Sequence, residues 1–437
     1  MANEGHQRKD AIIIGAGISG LCAAKLLTDS GLDVVVLEAR DRVGGRTYTW
    51  VDPSVGYVDL GASYVGPTQD RLLRIAKELG VKNYRINEDE RMVWIEKGKC
   101  YAHDDYYPSF WNPLITLDMN HVIREWDRIG DTIPVEAPWS APDAEMLDNT
   151  TVKEWIEKNV WTETIKNFCR VQCELNVTAE PHELSLLFFL WYIKQCGGFM
   201  RISSTDNGGQ ERKFVGGAQQ ISIKMLEKLG QDRVKLESPV SLIEQDDQGV
   251  RVTTVQGDKY EGKHVILAMA PSMSQRIIYS PALPAKRNQL IQRAPMGSVM
   301  KCLLYYKKQF WKDREFCGST LSVDPECPFI YSLDDTKPDG SHPALICFVA
   351  ADKCRDFVHL SKDQRRDRVC QYYSIAFNSE EALQPINYVE KNWMEEQYSG
   401  GCYTTTFPPG MLTKYGRSVN RSCLTIMPAL RDFWETR

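Results

Sequence analysis

The sequence predicts an α/β fold that opens with a β-α-β unit, and three observations support this prediction. Residues 11–14 form a short apolar run rich in β-branched side chains, which is typical of a buried parallel strand. Helical periodicity then continues to about Ser30, and Gly31 follows it as a helix-ending glycine. A second apolar run at 34–37 predicts the next parallel strand.

The turn between the first strand and the helix has the spacing G-x-G-x-x-G. Gly15 allows a tight turn, Gly17 lets a pyrophosphate approach the backbone, and Gly20 lets the helix pack closely on the strand. Ile18 and Ser19 open the helix, whose free N–H groups and positive dipole end favour phosphate. The glycines therefore predict a dinucleotide site at this turn.

An acidic residue and a second glycine pair strengthen this interpretation. Glu38 ends the second strand and would accept hydrogen bonds from a ribose 2′-hydroxyl, as the Rossmann fingerprint requires. Gly44 and Gly45 lie between basic residues and could bring a loop to a second phosphate region, with Arg46 as its charge partner.

Composition excludes several classes of protein. The chain has 437 residues, enough for two domains, and its net charge of −5 argues against a nucleic-acid binder. Thirteen cysteines without a C-x-x-C pair indicate a reducing compartment and mostly buried thiols. We see no signal peptide, no metal-binding or Ser/His/Asp constellation, and no apolar run long enough to span a bilayer. The longest run, 184–193, predicts a buried helix.

The remaining elements follow from periodicity and turn residues. Aromatic residues and prolines cluster at 82–139, where the glycine motifs stop, and this change suggests the start of a second domain. We expect helices at 69–79, within 152–195, at 219–229 and at 362–377. We expect a meander of three strands at 234–236, 240–243 and 250–255, and further strands at 265–270, 300–306 and 344–351.

Cys402 is the second focus of the sequence. By chemistry alone it is one thiol among thirteen, and a packed structural thiol is the ordinary interpretation. Its neighbours Gly400, Gly401 and Tyr403 permit the close approach of a flat ligand.

Five motifs together make the chain resemble the flavin-containing monoamine oxidases, within the flavin amine oxidase family. They are the glycine turn at 15–20, LEARDRVGGR at 37–46, NGGQER at 207–212, PMGSVMK at 295–301 and SGGCY at 399–403. The resemblance covers residues 10–417. It implies a Rossmann-like FAD-binding domain interleaved with an α+β substrate domain built on a mixed sheet and helices. The implied FAD-binding parts are 1–84, 214–290 and 396–437, and the substrate parts are 85–213 and 291–395.

The resemblance also assigns residues to FAD. Cys402 would carry the flavin through a thioether to its 8α-methyl group, and the backbone of Val240 would meet the adenine. The full set of cofactor-binding residues that the match implies is Gly15, Gly17, Ile18, Ser19, Gly20, Glu38, Ala39, Arg40, Gly44, Gly45, Arg46, Val240 and Cys402.

Other residues match catalytic and substrate positions of the family. Lys301 resembles the lysine that holds a water near flavin N5, Tyr403 one wall of the aromatic cage, and Trp393 the tryptophan beside the ring. Ser203 stands where the family has an apolar gate, and Thr406 replaces a usual tyrosine. The matched substrate-cavity residues are Tyr64, Leu175, Gln210, Tyr331 and Phe348.

The implied activity is the FAD-dependent oxidation of primary amines, and of secondary or tertiary ones, by oxygen. The products are an aldehyde, ammonia or an amine, and hydrogen peroxide.

The family resemblance implies a location at the cytosolic face of the mitochondrial outer membrane and is compatible with a homodimer. After Arg417 the family continues with a strand, a glycine turn, a helix with a second cage tyrosine, and a membrane anchor. We find none of these after Arg417, so we expect a divergent or truncated end without the anchor, compatible with a soluble cytosolic chain.

Two alternatives remain open from the sequence. The divergent end suggests a catalytically impaired or inactive product of an amine oxidase gene. The Rossmann fingerprint alone would also suit an NAD-linked dehydrogenase, although the motif around Cys402 weighs against it.

Overall fold

The computed structural model describes residues 8–86, 89–104, 107, 108, 110–419 and 426–428. Its strands are β1 (Lys9–Ile14), β2 (Val34–Leu37), β3 (Thr49–Asp52), β4 (Gly56–Asp59), β5 (Tyr64–Val65), β6 (Asn83–Arg85), β7 (Arg91–Glu96), β8 (Lys99–His103), β9 (Arg212–Phe214), β10 (Val234–Lys235), β11 (Val240–Asp246), β12 (Gly249–Thr254), β13 (Lys259–Leu267), β14 (Ile278–Ser280), β15 (Val299–Tyr305), β16 (Phe316–Ser322), β17 (Tyr331–Asp334), β18 (Ala344–Ala350), β19 (Asn387–Asn392) and β20 (Ile426–Pro428).

The α-helices are α1 (Ile18–Asp29), α2 (Asp70–Glu78), α3 (Pro113–Asp131), α4 (Ala144–Asn149), α5 (Val152–Asn159), α6 (Glu163–Val177), α7 (Leu186–Gln195), α8 (Phe199–Ser203), α9 (Gln220–Leu229), α10 (Ala285–Gln292), α11 (Ala351–Phe357), α12 (Lys362–Ala376) and α13 (Met411–Val419). Short 3-10 helices occur at Pro138–Ser140, Pro271–Arg276, Lys312–Arg314 and Glu380–Leu383.

The first sheet contains the predicted β-α-β unit. Its strand order is β10-β2-β1-β13-β12-β11-β14, and β20 also pairs with β13. β1 lies parallel to both β2 and β13, and its residues Ile12 and Ile13 are completely buried. α1 ends where predicted, and Gly31 follows it at a φ of +81°. These findings confirm the opening unit.

Two expectations for this sheet are wrong. The run at 234–236 does not join a meander, because β10 pairs in parallel with β2 at the far edge. Only β11, β12 and β13 form consecutive antiparallel pairs. We also expected no strand after Arg417, yet β20 runs parallel to β13 and pairs Ile426, Met427 and Pro428 with residues 265–267. The rest of the predicted divergent tail, from residue 420, lies outside the described residues.

The second sheet is built from later and earlier parts of the chain together. Its order is β19-β15-β18-β17-β16-β7-β8, and β7 pairs in parallel with β16. Every residue of β15 and β18 is buried, because both faces of the sheet are covered. One face packs on helices α3–α7, and the other packs on α11 and α12. Both predicted strands are therefore confirmed as central strands, and the domain boundaries stay a prediction.

The predicted helical region at 152–195 is confirmed and consists of three helices, α5, α6 and α7. Thr151 and Glu154 form a reciprocal capping box at the start of α5, and Thr162 caps α6. Ser185 caps α7, which is apolar on almost every side and confirms the buried helix. Among the described residues, no helix has the length and apolar character needed to cross a membrane.

Candidate active site

The three glycines of the first turn have different surroundings. A Cβ added at Gly15, whose φ is +105°, would lie 2.7 Å from the carbonyl oxygen of Ala268. A Cβ at Gly20 would lie 2.0 Å from the carbonyl oxygen of Gly15. A Cβ at Gly17 would meet nothing within 4 Å. Gly15 and Gly20 are thus required by packing, whereas Gly17 leaves free space at the start of α1.

The acid that ends β2 is fixed beside this turn. The Glu38 carboxylate is buried and accepts hydrogen bonds from the backbone N–H groups of Ala16 (2.7 Å) and Arg40 (3.0 Å). The N–H of Gly44 donates to the carbonyl of Ala16 at 2.8 Å, and Gly17 forms a parallel bridge with Gly44. The turn at 15–20 and the glycine pair Gly44 and Gly45 therefore lie against each other. A ligand bound at the turn could contact both.

Two arginines connect this region to the C-terminal motif. The Arg40 guanidinium donates to the Glu396 carboxylate at 3.1 and 3.2 Å and to Ser399 Oγ at 2.8 Å. Arg46 donates to the carbonyl of Tyr403 at 2.6 Å. The segment around Cys402 is therefore joined directly to the β-α-β unit.

A threonine and a glycine fix the peptide that follows Cys402. The Thr178 hydroxyl donates to the carbonyl of Cys402 (2.6 Å) and accepts from the N–H of Tyr403 (3.1 Å). The N–H of Cys402 donates to the carbonyl of Gly297 at 3.0 Å. A Cβ at Gly297 would lie 1.9 Å from Thr178 Oγ1, so only glycine fits there. Sequence reasoning missed Thr178, since nothing near it in the chain indicates a partner 224 residues away.

Cys402 is a buried and protonated thiol. Its exposed fraction is 5 %, and burial raises its pKa to about 12, although Arg46 and Lys301 act in the opposite direction. A thiol with this pKa is not a free nucleophile at neutral pH. Any covalent chemistry at Cys402 therefore depends on a bound partner rather than on a preformed thiolate.

Three predicted residues form one row across the second sheet. Lys301 of β15 lies directly opposite Phe348 of β18, which lies directly opposite Tyr331 of β17. Directly opposed residues in antiparallel strands point to the same face. The apolar residues predicted for the site pack in one cluster on this face. They are Tyr64, Leu175, Tyr331, Phe348, Trp393, Cys402 and Tyr403.

Lys301 is the one charged member of that row on β15, β17 and β18. Its ammonium donates to the carbonyls of Asp59 (3.2 Å) and Gly61 and to Ser63 Oγ (2.8 Å), and it lies 5.4 Å from the centre of the Phe348 ring. Burial lowers the pKa of Lys301 to about 8. The prediction from its apolar strand neighbours, that this lysine is not a surface residue, is confirmed.

The segment 59–64 is held from a second direction by Trp393. The buried indole donates through Nε1 to the carbonyl of Leu60 at 2.8 Å. The Lys391 ammonium lies 5.6 Å from the centre of the Trp393 ring. Tyr64, at the end of this segment, pairs with Lys213 of β9.

The far side of the apolar cluster is formed by helices. Leu175 of α6 is half-buried against it, and the Gln210 side-chain amide donates to the carbonyls of Ile202 (3.2 Å) and Ser204 (3.0 Å). Ser203 is buried and donates to Gln172 Oε1 at 3.3 Å. The hydroxyl at the position of the apolar gate is therefore bonded to α6.

Val240 lies apart from these residues. It begins β11 in the first sheet and packs with a separate apolar cluster that includes Ile14 and Leu37. Val240 therefore packs in the same cluster as the last residues of β1 and β2, which the glycine turn and Glu38 follow.

Most cysteines are buried, as the composition predicts. Of the described cysteines, only Cys22, Cys100 and Cys196 are partly exposed, and no two of the described cysteines form a disulfide. No group of three or more His, Cys, Asp or Glu side chains among the described residues could hold a metal ion.

A β-α-β unit with the glycine spacing of dinucleotide-binding proteins, joined to a buried apolar site, is typical of oxidoreductases that use a dinucleotide cofactor. The family model for flavin containing amine oxidoreductase matches residues 18–421. The chain belongs to this family and is a flavin-containing amine oxidase.

Individual relatives agree with the family match. The chain is 55 % identical over 410 residues to amine oxidase [flavin-containing] B of Mus musculus, covering 94 % of this chain and 79 % of the relative. It is 52 % identical over 418 residues to amine oxidase [flavin-containing] A of Canis lupus familiaris, covering 96 % and 79 %.

Solved structures confirm the predicted fold class. Cyclohexylamine oxidase from Brevibacterium oxydans superimposes with a TM-score of 0.93 at 29 % identity, covering 98 % of this chain and 95 % of that one. Putrescine oxidase bound to putrescine gives a TM-score of 0.91 at 28 % identity, covering 96 % and 93 %. The match to flavin amine oxidases does not favour an NAD-linked dehydrogenase or a catalytically impaired product.

Proposed function

We propose that this chain oxidises monoamines with FAD attached covalently to Cys402, and that the row containing Lys301 faces the reacting centre. The observation that supports the proposal best is the pair of contacts from Arg40 to Ser399 and from Arg46 to Tyr403. They join the dinucleotide unit and the cysteine motif, so one elongated cofactor could reach both.

The residues present fit FAD. The space beside Gly17 would accept a pyrophosphate, and Gly17 provides no side-chain cap that would compete for the first N–H groups of α1. Charged groups between the glycine turn and Cys402 are provided by Glu38, Arg40 and Arg46. Val240 would lie at the adenine end of the cofactor. The buried Cys402 would hold the ring end.

When bound, FAD would supply the two-electron chemistry by which oxygen oxidises an amine to a free imine, with hydrogen peroxide as the second product. Water then hydrolyses the free imine to an aldehyde and ammonia, or to an aldehyde and an amine from a substituted substrate. The protein excludes water, orients the amine and sets the local electrostatics.

The chain's own residues divide these tasks. Tyr403, Tyr64 and Trp393 provide aromatic surface, while Phe348, Tyr331 and Leu175 would surround the substrate with apolar side chains, which favours a neutral amine over its cation. Gln210 adds a polar group at the helical side. Lys301, whose ammonium is held by Asp59, Gly61 and Ser63, places positive charge where negative charge develops as oxygen is reduced.

The family resemblance supports two further proposals. We propose that the protein acts at the cytosolic face of the mitochondrial outer membrane, which cell fractionation would test. We also propose a homodimer, which sedimentation of the purified protein would test.

The direct test of the activity uses purified, FAD-loaded protein with simple aryl-alkyl amines. We expect equal amounts of hydrogen peroxide and aldehyde, and bleaching of the oxidised flavin spectrum when oxygen is removed. A flavin spectrum that stays unchanged with every amine under anaerobic conditions would contradict the proposal. Peroxide formed without amine is the control for uncoupled oxidation.

A further inference from the structure

A group of buried charges lies behind the row that contains Lys301. Lys213, Asp335, Lys337 and Asp59 each have an exposed fraction of 6 % or less, as does Lys301. Burying five ionisable side chains together is costly unless their charges compensate one another. None of these residues except Lys301 has a place in the mechanism above.

Asp335 is the centre of this group. One of its carboxylate oxygens forms an ion pair with Lys213, and the other lies 3.4 Å from the Lys337 ammonium. The backbone N–H of Asp335 donates to the carbonyl of Ala344 at 2.8 Å. This hydrogen bond holds Asp335 beside the first residue of β18. One carboxylate thus compensates two buried ammonium groups.

Lys213 connects the ion pair to the candidate active site. It pairs with Tyr64 across β9 and β5, and its ammonium lies 5.5 Å from the centre of the Tyr64 ring. Lys301 binds the same segment, at the carbonyls of Asp59 and Gly61. The Asp59 carboxylate accepts from Thr49 and from the N–H of Ala218. The two lysines therefore hold one segment from its two ends.

We propose that the Lys213–Asp335 ion pair is a positioning device that sets the charge state of Lys301. The inference rests on the proposed function, in which Lys301 lies beside the flavin. Asp335 and Lys213 do not touch the reacting atoms; they act through the field at Lys301 and through segment 59–64.

The signs of the interactions make the proposal specific. Burial lowers the pKa of Lys301 and Lys213 acts in the same direction, whereas Asp59 and Asp335 raise it, and the resulting pKa is about 8. Lys391 of β19 lies directly opposite Lys301, with its own ammonium paired to Glu396 at 2.6 Å. Removing Asp335 should therefore lower the pKa of Lys301, and removing Lys213 should raise it.

The test is a pH titration of the visible flavin absorption of the resting holoenzyme, which senses the charge of Lys301 without turnover. Lys301→Met identifies its transition, because that transition must vanish in this variant. We expect Asp335→Asn to move the transition to lower pH by about one unit, and Lys213→Met to move it to higher pH by about the same amount. The pH profile of flavin reoxidation by oxygen should shift in the same directions.

Two further variants serve as controls. Asp334→Asn changes the adjacent carboxylate, which accepts from Trp311 and Gln309 instead, and should leave the transition in place. The double variant Lys213→Met/Asp335→Asn removes both charges of the pair and should return the transition close to the wild-type pH. The double variant also replaces an Asp335→Asn variant that does not fold, because it leaves one buried ammonium, that of Lys337, without a carboxylate instead of two.

The outcomes separate this inference from the proposed function. If Lys301→Met keeps the transition, Lys301 is not beside the flavin and the proposed site is wrong. If Lys301→Met abolishes it, but both single variants leave it unmoved or shift it in the same direction, the ion pair has only a structural role and the inference is overturned.

Discussion

Arg40 Nη2 lies 2.8 Å from Ser399 Oγ, a contact between residues that are 359 positions apart in the chain. The same guanidinium binds the Glu396 carboxylate, so one arginine that follows β2 holds two residues of the segment before Cys402. Because a guanidinium has a fixed fork of donors, it can hold the carboxylate and the hydroxyl in one geometry. Several consequences can be measured.

Replacing Arg40 should separate flavin binding from flavin attachment. Arg40→Met removes the contacts to Glu396 and Ser399, so the motif before Cys402 loses its connection to the β-α-β unit. We expect the flavin that stays with acid-precipitated protein to fall as a fraction of total flavin. Arg40→Lys keeps the charge without the fork and should give an intermediate fraction. An unchanged fraction in Arg40→Met would show that this contact does not position Cys402.

Two alanine substitutions in the glycine turn should affect different properties, one the stability of the fold and the other FAD binding. Gly20→Ala places a methyl group 2.0 Å from the Gly15 carbonyl oxygen and should reduce the free energy of unfolding by about 3 kcal/mol. Gly17→Ala meets no protein atom and should change it by less than about 1 kcal/mol.

The same pair should differ in FAD binding. The Gly17→Ala methyl group enters the space proposed for the pyrophosphate, so we expect at least about a tenfold loss of FAD affinity in the apoprotein. Isothermal titration of FAD into apoprotein and denaturant unfolding measure the two effects separately. Unchanged FAD affinity in Gly17→Ala would place the pyrophosphate elsewhere.

Lys301 should make the stability of the protein depend on pH. Burial lowers its pKa from 10.5 to about 8, so the unfolded chain binds more protons than the folded one between these values. The free energy of unfolding of the wild type, relative to Lys301→Met, should therefore rise by up to about 3 kcal/mol as the pH increases through this window. Denaturant unfolding at several pH values measures the difference. A difference that stays constant with pH would mean that Lys301 keeps an ordinary pKa.

The hydroxyl of Thr178 should matter more than its methyl group. Thr178→Val has nearly the same shape but leaves the carbonyl of Cys402 and the N–H of Tyr403 without their partner. We expect the variant to lose about 3 kcal/mol of unfolding free energy and part of its covalent flavin. Thr178→Ser keeps the hydroxyl and serves as the control. If valine and serine behave alike, the hydrogen bonds to this peptide are not important.

The local parts of the fold could be predicted because their signals lie close together in the chain. The spacing of Gly15, Gly17 and Gly20, the helix end at Gly31 and the acid at Glu38 all belong to one continuous unit. The position of β10 could not be predicted for the opposite reason, since a strand of two residues, Val234–Lys235, does not indicate which strand it will pair with.

The site required more than local patterns. The motif around Cys402 identified its position only through the family resemblance, and no local feature indicated the roles of Thr178 or Asp335. Their partners lie 224 and 122 residues away, and a lone polar residue is compatible with a solvated surface until the fold buries it. Burial and pairing of charges are properties of the assembled structure.

The account depends most on the attachment of the flavin to Cys402. The decisive measurement is the mass of the proteolytic peptide that contains Cys402, isolated from FAD-loaded protein after denaturation. We predict that this peptide carries the mass and the absorption spectrum of a flavin, and that Cys402→Ala releases its flavin on denaturation. An unmodified Cys402 peptide, together with all the flavin free in the supernatant, would contradict the proposed site.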